Sequence, residues 1–369
     1  MNRRQFLRYS ALCGFSLTLG SLFSCASSPK LSKDDQALLK GIKFIDAHSH
    51  PDWYHPSIPY PTSTIEAMKE LGMVASCFAA VGDNVFISGG LLGGRLRGSS
   101  EYQNTMVELD WWKRQVKSGK IKLVLKASDV PNSIGLDSPP GAILSIEGGD
   151  PLEGKPGRVN EFYRLGVRMI TLIHNRNNEL GDTMARDKNI HPGPMNNGLT
   201  RSGYEVVERM WSLGMVVDVA HAHSETLRQI AELAEGSHKP LLDSHTSPCP
   251  NERSSKCGRF RKWRDMELVA KTGGVVCTFT LSYKWNNILR RTFLDWAREI
   301  LEMKNRLGMD HVGLGTDGGQ PNFDFIDGYR DIRDLVHLVR AMQEIGFSNG
   351  EIAAYMGGNL YRVLQSCIG

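Results

Sequence analysis

Phe44-Ile45-Asp46-Ala47-His48-Ser49-His50 decides how the rest of the chain is read. An apolar start gives way to an acid and then to two histidines two residues apart. Side chains two apart on a strand point the same way, so both imidazoles can face one side of a sheet. The same pattern recurs along the chain. Ile143-Leu144-Ser145-Ile146-Glu147, Met169-Ile170-Thr171-Leu172-Ile173-His174 and Val216-Val217-Asp218-Val219-Ala220-His221 follow it. So do Leu241-Leu242-Asp243-Ser244-His245 and Val312-Gly313-Leu314-Gly315-Thr316-Asp317. Each apolar run ends on a group that binds metals or moves protons. Ligands delivered by many strand ends predict a barrel with a metal site at one mouth.

Working outward, the runs predict eight strands at 43–47, 73–81, 141–147, 167–173, 215–220, 240–244, 273–280 and 311–316. Amphipathic stretches lie between most of them, at 64–71, 102–118, 203–213, 224–234, 265–271 and 286–307. Strands alternating with helices imply parallel βαβ units. Eight units predict an α/β fold of the (β/α)8 TIM barrel type, as in metal-dependent hydrolases. An open doubly wound sheet is the alternative. The run 121–127 fits either a short strand or the end of a helical segment. The Gly- and Ser-rich stretch 89–100 predicts a mobile loop, and 178–202 a long loop at the mouth, where substrate contacts are usually built. The run 349–365 predicts one or two terminal helices. Residues 43–369 form a single predicted domain.

The chain has 369 residues, enough for a large core, with 41% hydrophobic and 23% charged residues. Its formal charge is +4, and Arg3, Arg4 and Arg8 supply three of those charges. Without them about +1 remains, which gives no electrostatic case for a nucleic-acid partner. Residues 1–24 read as a twin-arginine export signal, with an apolar stretch over 9–23 too short to span a bilayer comfortably. Leu22-Phe23-Ser24-Cys25 suggests a lipoprotein processing site, with Cys25 lipidated and 25–42 serving as a tether. The expected location is the periplasm or cell envelope of a bacterium, with membrane contact only through that anchor. An ordinary cleaved signal is the alternative, and an uncleaved anchor fits the length less well. Cys249 and Cys257 are close enough to pair in an oxidising compartment, or can remain free buried thiols.

His48 and His50 are candidate zinc ligands if their strand end faces inward. Asp46 is a candidate for orienting them. Glu147 closes a buried strand, which is costly unless the acid is paired or bound to metal. A salt bridge to an arginine is its alternative. His221 and His245 would each, in isolation, more often be hydrogen-bonded core histidines. Four histidines in one pattern favour ligation. His223 reads as a bystander or supporting group. His174 and Asp317 end runs in the same way, and an acid at Asp317 needs a cation or a proton-transfer task. Gly313, Gly315, Gly318 and Gly319 do not make a dinucleotide fingerprint. No nucleophile elbow is present, and no cysteine sits in a nucleophile context.

Together these segments resemble the membrane (renal) dipeptidase family of zinc metallopeptidases, among the amidohydrolase-like barrels. Also part of the likeness are 166–175, Asn197-Gly198-Leu199-Thr200, Ser244-His245-Thr246-Ser247 and Gly357-Gly358-Asn359. The similarity runs from about Phe44 to the C-terminus. It implies a (β/α)8 fold holding two zinc ions bridged by a glutamate. Carried over, His48, His50 and Glu147 would hold one ion, and Glu147, His221 and His245 the other. His174 would contact the scissile carbonyl, and Asp317 would handle the proton. The implied reaction is hydrolysis of a dipeptide amide by a metal-bridging hydroxide. The family usually has Asp where His50 stands, and Ser-Asp-Phe-Asp-Gly where Thr316-Asp317-Gly318-Gly319 stands. Its substrate-carboxylate arginine has three candidates here, Arg253, Arg259 and Arg261, of which Arg259 is preferred. The alternatives are a related amidohydrolase acting on N-acyl amino acids or lactones, and an exported binding lipoprotein without catalysis. Related barrels often dimerise, so a homodimer is also expected.

Overall fold

Runs of β-branched and small apolar residues become strands where both faces can be covered. The structure is a computed structural model describing residues 31–51, 63–83, 100–184, 195–250, 257–285, 288–319 and 324–369. The export signal, Cys25, most of the 89–100 stretch and Arg253 lie outside these residues. Among them, eight parallel strands form the barrel. They are β1 Phe44–Ser49, β2 Met73–Val81, β3 Gly141–Glu147, β4 Val167–Thr171, β5 Val216–Asp218, β6 Leu242–Thr246, β7 Val275–Thr278 and β8 Val312–Leu314. They pair in chain order from β1 to β8. All are buried along their whole length, as a parallel sheet wrapped in helices requires.

The ring closes between β1 and β8. Asp317 N donates to His48 O at 2.9 Å, and His50 N donates to Gly318 O at 2.8 Å. The seam thus runs through the segment quoted first. Gly315 follows β8 without a side chain because a Cβ there would meet Ser244 O at 1.7 Å. That close approach explains a glycine that forms no nucleotide loop.

Local signals set the helix ends. Ser100 and Gln103 form a capping box that starts the helix Glu101–Lys117, and Thr292 with Asp295 starts Phe293–Leu307. Two expectations need correcting. Within the expected tether, Lys33–Leu39 is helical, nucleated by a Ser32–Asp35 capping box and held by buried Leu39. The helix expected from 286 begins only at Phe293, because Ile288–Arg290 pairs antiparallel with Tyr283–Trp285. The ambiguous run 121–127 contains a two-residue strand, Lys122–Leu123, beside β3, and adds no stave to the barrel. The last run forms Asn349–Ala353 and Asn359–Ile368, joined by a π-type turn.

The terminal helix Asn359–Ile368 seals the floor of the barrel. Its Leu360, Val363, Leu364 and Cys367 join a buried cluster with Ile45, Val74, Val216, Leu242 and Val275 from the starts of the strands. Full burial of each such aliphatic side chain contributes roughly 1.5–3 kcal/mol. Cys249 and Cys257 are paired, while Cys77, Cys277 and Cys367 are buried thiols. No helix among the described residues is long and apolar enough to cross a membrane.

Candidate metal centre

With the floor sealed, the open end of the barrel collects what the strands carry past their last hydrogen bonds. Glu147, ending β3, sits at the centre. Its Oε1 lies 3.3 Å from His48 Nε2, 3.3 Å from His221 Nε2, 3.2 Å from His245 Nε2 and 3.4 Å from His174 Nε2. Its Oε2 lies 3.6 Å from His50 Nε2. Asp317 Oδ1 faces His48 Nε2 at 3.8 Å and His50 Nε2 at 4.0 Å. Seven residues drawn from six strand ends therefore meet, with the Glu147 carboxylate at their centre. All five expected ligand positions converge.

This cluster cannot satisfy itself. His221 Nε2 and His245 Nε2 are 3.0 Å apart, and the His48 and His245 rings stack at 3.9 Å. Both ring nitrogens of His48, both oxygens of Glu147 and Nδ1 of His221 are buried without a hydrogen-bond partner. Each such atom costs about 1–3 kcal/mol, and more when charged. A divalent cation answers that cost, and imidazole nitrogens with carboxylate oxygens are a donor set that suits zinc. Three groups bring their ligand atoms within 4.8 Å of one another: His48, Glu147 and His245; His48, His50 and Asp317; Glu147, His174 and His221. These residues could hold such ions.

The surroundings choose which nitrogen faces inward. His50 Nδ1 lies 2.7 Å from Ala79 O, which can only accept, so Nδ1 carries the proton and Nε2 presents a lone pair. Ser244 Oγ gives its hydrogen to Asp218 Oδ2 at 2.6 Å and so accepts from His245 Nδ1 at 2.9 Å. That again leaves Nε2 as the ligand atom. Asp46 behaves differently from expectation. It accepts from His48 N at 3.1 Å, Thr316 N at 2.8 Å and Thr316 Oγ1 at 2.5 Å. It fastens the backbone of the closing seam rather than the His48 ring. His221 and Asp317 hold positive φ, 64° and 52°, a strained conformation for residues with side chains that collects at functional sites.

Burial and crowding set the protonation. Burial pulls the His221 and His245 pKa values well below the ordinary histidine value, helped by the charge of Arg259. Burial and neighbouring His48 take His50 down to about 3. Neutral imidazoles are the form that binds metal. Burial opposes ionisation of Glu147, yet His174 and His48 hold its carboxyl well below the usual range. Burial and the Glu147 charge, against the pull of His48, raise Asp317 to about 7. Burial pulls His174 down, but the carboxylates of Asp83 and Glu147 outweigh it and lift it to about 9.

Of the candidate arginines described, Arg259 lies at the mouth. Its Nη2 donates to His245 O at 2.6 Å, and its buried Nη1 has no hydrogen-bond partner. Arg261 is consumed structurally, with Nε on Asp243 Oδ2 at 2.8 Å and its other nitrogens on the carbonyls of Ala222 and Val219. His223 caps a helix, its Nδ1 accepting from Glu225 N at 3.3 Å. The sequence reading passed over Asp83, which contacts His174 Nδ1 at 3.1 Å. It follows the apolar run of β2 with Gly82 between, so the signal was present but less plain. Ser244 and Thr316 carried no signal, because their task is visible only across strands.

Known proteins with similar sequences and folds bear on this centre. Among solved structures, the chain is similar to a probable dipeptidase, PvdM, from Pseudomonas aeruginosa, with a TM-score of 0.75 and 16% identity, covering 91% of this chain and 98% of that one. It is also similar to a metallopeptidase from Rhodobacter sphaeroides bound to a phosphinate mimic of L-Ala-D-Ala, with a TM-score of 0.70 and 18% identity, covering 89% and 100%. At these identities the likeness shows the amidohydrolase-type barrel fold. In sequence it is similar to dipeptidase verJ of Clonostachys rogersoniana, 28% identical over 229 residues, 61% of this chain and 55% of that protein. Dipeptidase tcpJ of Claviceps purpurea is 26% identical over 269 residues, 71% and 60%. The matches span roughly half to three fifths of those relatives' length. The sequence model of the membrane dipeptidases, peptidase family M19, matches residues 34–367, and the chain belongs to that family.

Proposed function

We propose that this chain is a binuclear zinc dipeptidase. The observation that carries the reading is Glu147, whose Oε1 faces His48, His221 and His245 and whose Oε2 faces His50, so one buried carboxylate meets all four candidate histidine ligands. By the family resemblance, Glu147 would be the shared ligand of two ions, His48 and His50 completing one set and His221 and His245 the other. When bound, the ions would supply Lewis acidity and a water of lowered pKa at working pH. The protein's own groups do the rest. His174 Nε2 steadies the oxygen of the scissile carbonyl as charge builds on it. Asp317, near 7, takes a proton from the attacking water and returns it to the leaving amine. Arg259, with its unpartnered Nη1 at the mouth, binds the substrate's terminal carboxylate. The dipeptide mimic held by the Rhodobacter sphaeroides enzyme supports a substrate of dipeptide size.

His50 makes the site one unit less negative than an aspartate would. That favours a second reading, a related amidohydrolase acting on N-acyl amino acids or lactones. Purified protein assayed for bound metal and for turnover of a dipeptide panel beside acyl-amino acids decides between them. The expected result is zinc with dipeptide hydrolysis, lost on chelation and restored by zinc. His245→Ala is expected to lose zinc. Turnover that survives full metal removal would refute the reading. Export through the twin-arginine signal and anchoring at Cys25 belong to the same proposal, and metabolic lipid labelling of Cys25→Ala against the parent tests the anchor.

A further inference from the structure

His174 reaches the metal centre through a residue that was not among the expected site groups. Asp83 lies two residues beyond β2 and is fully buried. Its Oδ2 faces His174 Nδ1 at 3.1 Å and accepts from the backbone N of Asn175 at 3.1 Å. One carboxylate oxygen thus gathers both the ring and the turn that follows β4. The backbone is built to allow this. Gly82 N donates to Glu147 O at 2.6 Å, and a Cβ on Gly82 would meet Gly148 O at 2.0 Å. Only glycine lets the ends of β2 and β3 approach closely enough to bring Asp83 beneath the ring. A Cβ on Gly148 would in turn sit 3.1 Å from His174 Cβ.

We propose that Asp83 is the positioning residue for His174. A carboxylate at Nδ1 can only accept, so that nitrogen carries its proton toward Asp83. Nε2 is left as the one ring atom that can turn to Glu147, 3.4 Å away, and to a substrate oxygen beside it. The Asn175 amide, 2.9 Å from Nε2, flanks the same position. In this assignment Asp83 would act on the reaction only through another residue. Its effect passes through the orientation of one imidazole, in a site where about 1 Å of misplacement costs on the order of 100-fold in rate.

This inference rests on the dipeptidase reading, and the test separates the two. Asp83→Ala and Asp83→Asn are compared with the parent in the zinc-loaded protein. Asp83→Ala is expected to lower kcat for a dipeptide roughly 10–100-fold, with bound zinc unchanged. KM should move less than about threefold, since a change confined to the chemical step leaves uniform binding intact. Asp83→Asn keeps the size and one acceptor oxygen and is expected to lose about 5–10-fold, because a neutral hydrogen bond is roughly half as strong as a charged one. It also serves if the alanine variant does not fold. Independently, proton–nitrogen correlation spectra of the ring should place a proton on His174 Nδ1 in the parent and lose that signature in Asp83→Ala. Unchanged kcat in either variant, zinc lost in step with activity, or an unprotonated Nδ1 in the parent would each overturn the assignment. A parent that hydrolyses no dipeptide yet shows the protonated Nδ1 would end the dipeptidase reading and leave the ring assignment standing.

Discussion

The two ends of this barrel are made from the same eight strands on opposite terms. At the floor, the strand starts bury Ile45, Val74, Val216, Leu242 and Val275 against the terminal helix, and their side chains carry no polar atoms. At the mouth, the same strands run on into Glu147, five histidines and Asp317, with orphaned nitrogens and oxygens in nearly dry surroundings. The floor stores stability, and the mouth consumes it. The difference teaches that the mouth is assembled by the floor. Charged and polar groups packed this closely would separate if rigid strands did not hold them, and the strain at His221 and Asp317 is the local mark of that constraint.

Four measurements test the division. The largest effect is expected at the mouth. Glu147→Ala should lower kcat/KM by roughly 1,000-fold, about 4 kcal/mol, with zinc lost, while hydrogen exchange in the floor strands stays slow. Loss of floor protection would show that the two ends are not separable. The converse is Leu364→Ala in the floor, expected to lower stability by about 2–5 kcal/mol in thermal or urea unfolding. Zinc per folded chain and kcat should be unchanged, and zinc loss would break the comparison. Third, Cys249→Ser with Cys257→Ser opens a loop of eight-residue separation beside Arg259. About 2–3 kcal/mol of stability should go, with KM rising more than kcat falls as Arg259 loosens. An unchanged KM would detach that loop from substrate binding.

The smallest effect lies on the flank and sets the scale for both ends. The Ser32 hydroxyl, with Arg340 adding to it, holds Asp35 down at about 2, against an ordinary value of 3.8. A lowered folded-state pKa means that the contribution is complete above about 4 and disappears as the pH falls through 2. Arg340 is half exposed, so solvent screens the pair. Arg340→Ala should cost less than about 1 kcal/mol near neutral pH and progressively less as the pH falls through 2, read from urea unfolding as a function of pH. A larger loss would mean that the flank contributes to stability on the scale of the floor.

Much of this was legible because parallel barrels write their architecture into strand ends. A buried run that stops on His or an acid announces both a strand and the end of it that carries chemistry, and His48, Glu147, His221 and His245 could be read that way. Asp83 obeyed the same rule less plainly, because Gly82 separates it from its apolar run, whereas Glu147 and Asp317 end theirs directly. The hairpin before Phe293 was missed because 286–307 is amphipathic overall, and pairing with Tyr283–Trp285 overrides helical preference over its first residues.

The chain's own order of residues determined the eight strands, the face that carries the ligands and the family to which it belongs, since burial period and strand-end chemistry are local properties. The fold alone decided that Arg259 rather than Arg261 stands at the mouth, that Asp46 fastens the seam and that Cys249 meets Cys257. It also decided that Asp83 lies beneath His174. Apart from the disulfide, whose cysteines are eight residues apart, these depend on distances between residues well separated in sequence, and such distances are set only when the ring of strands closes.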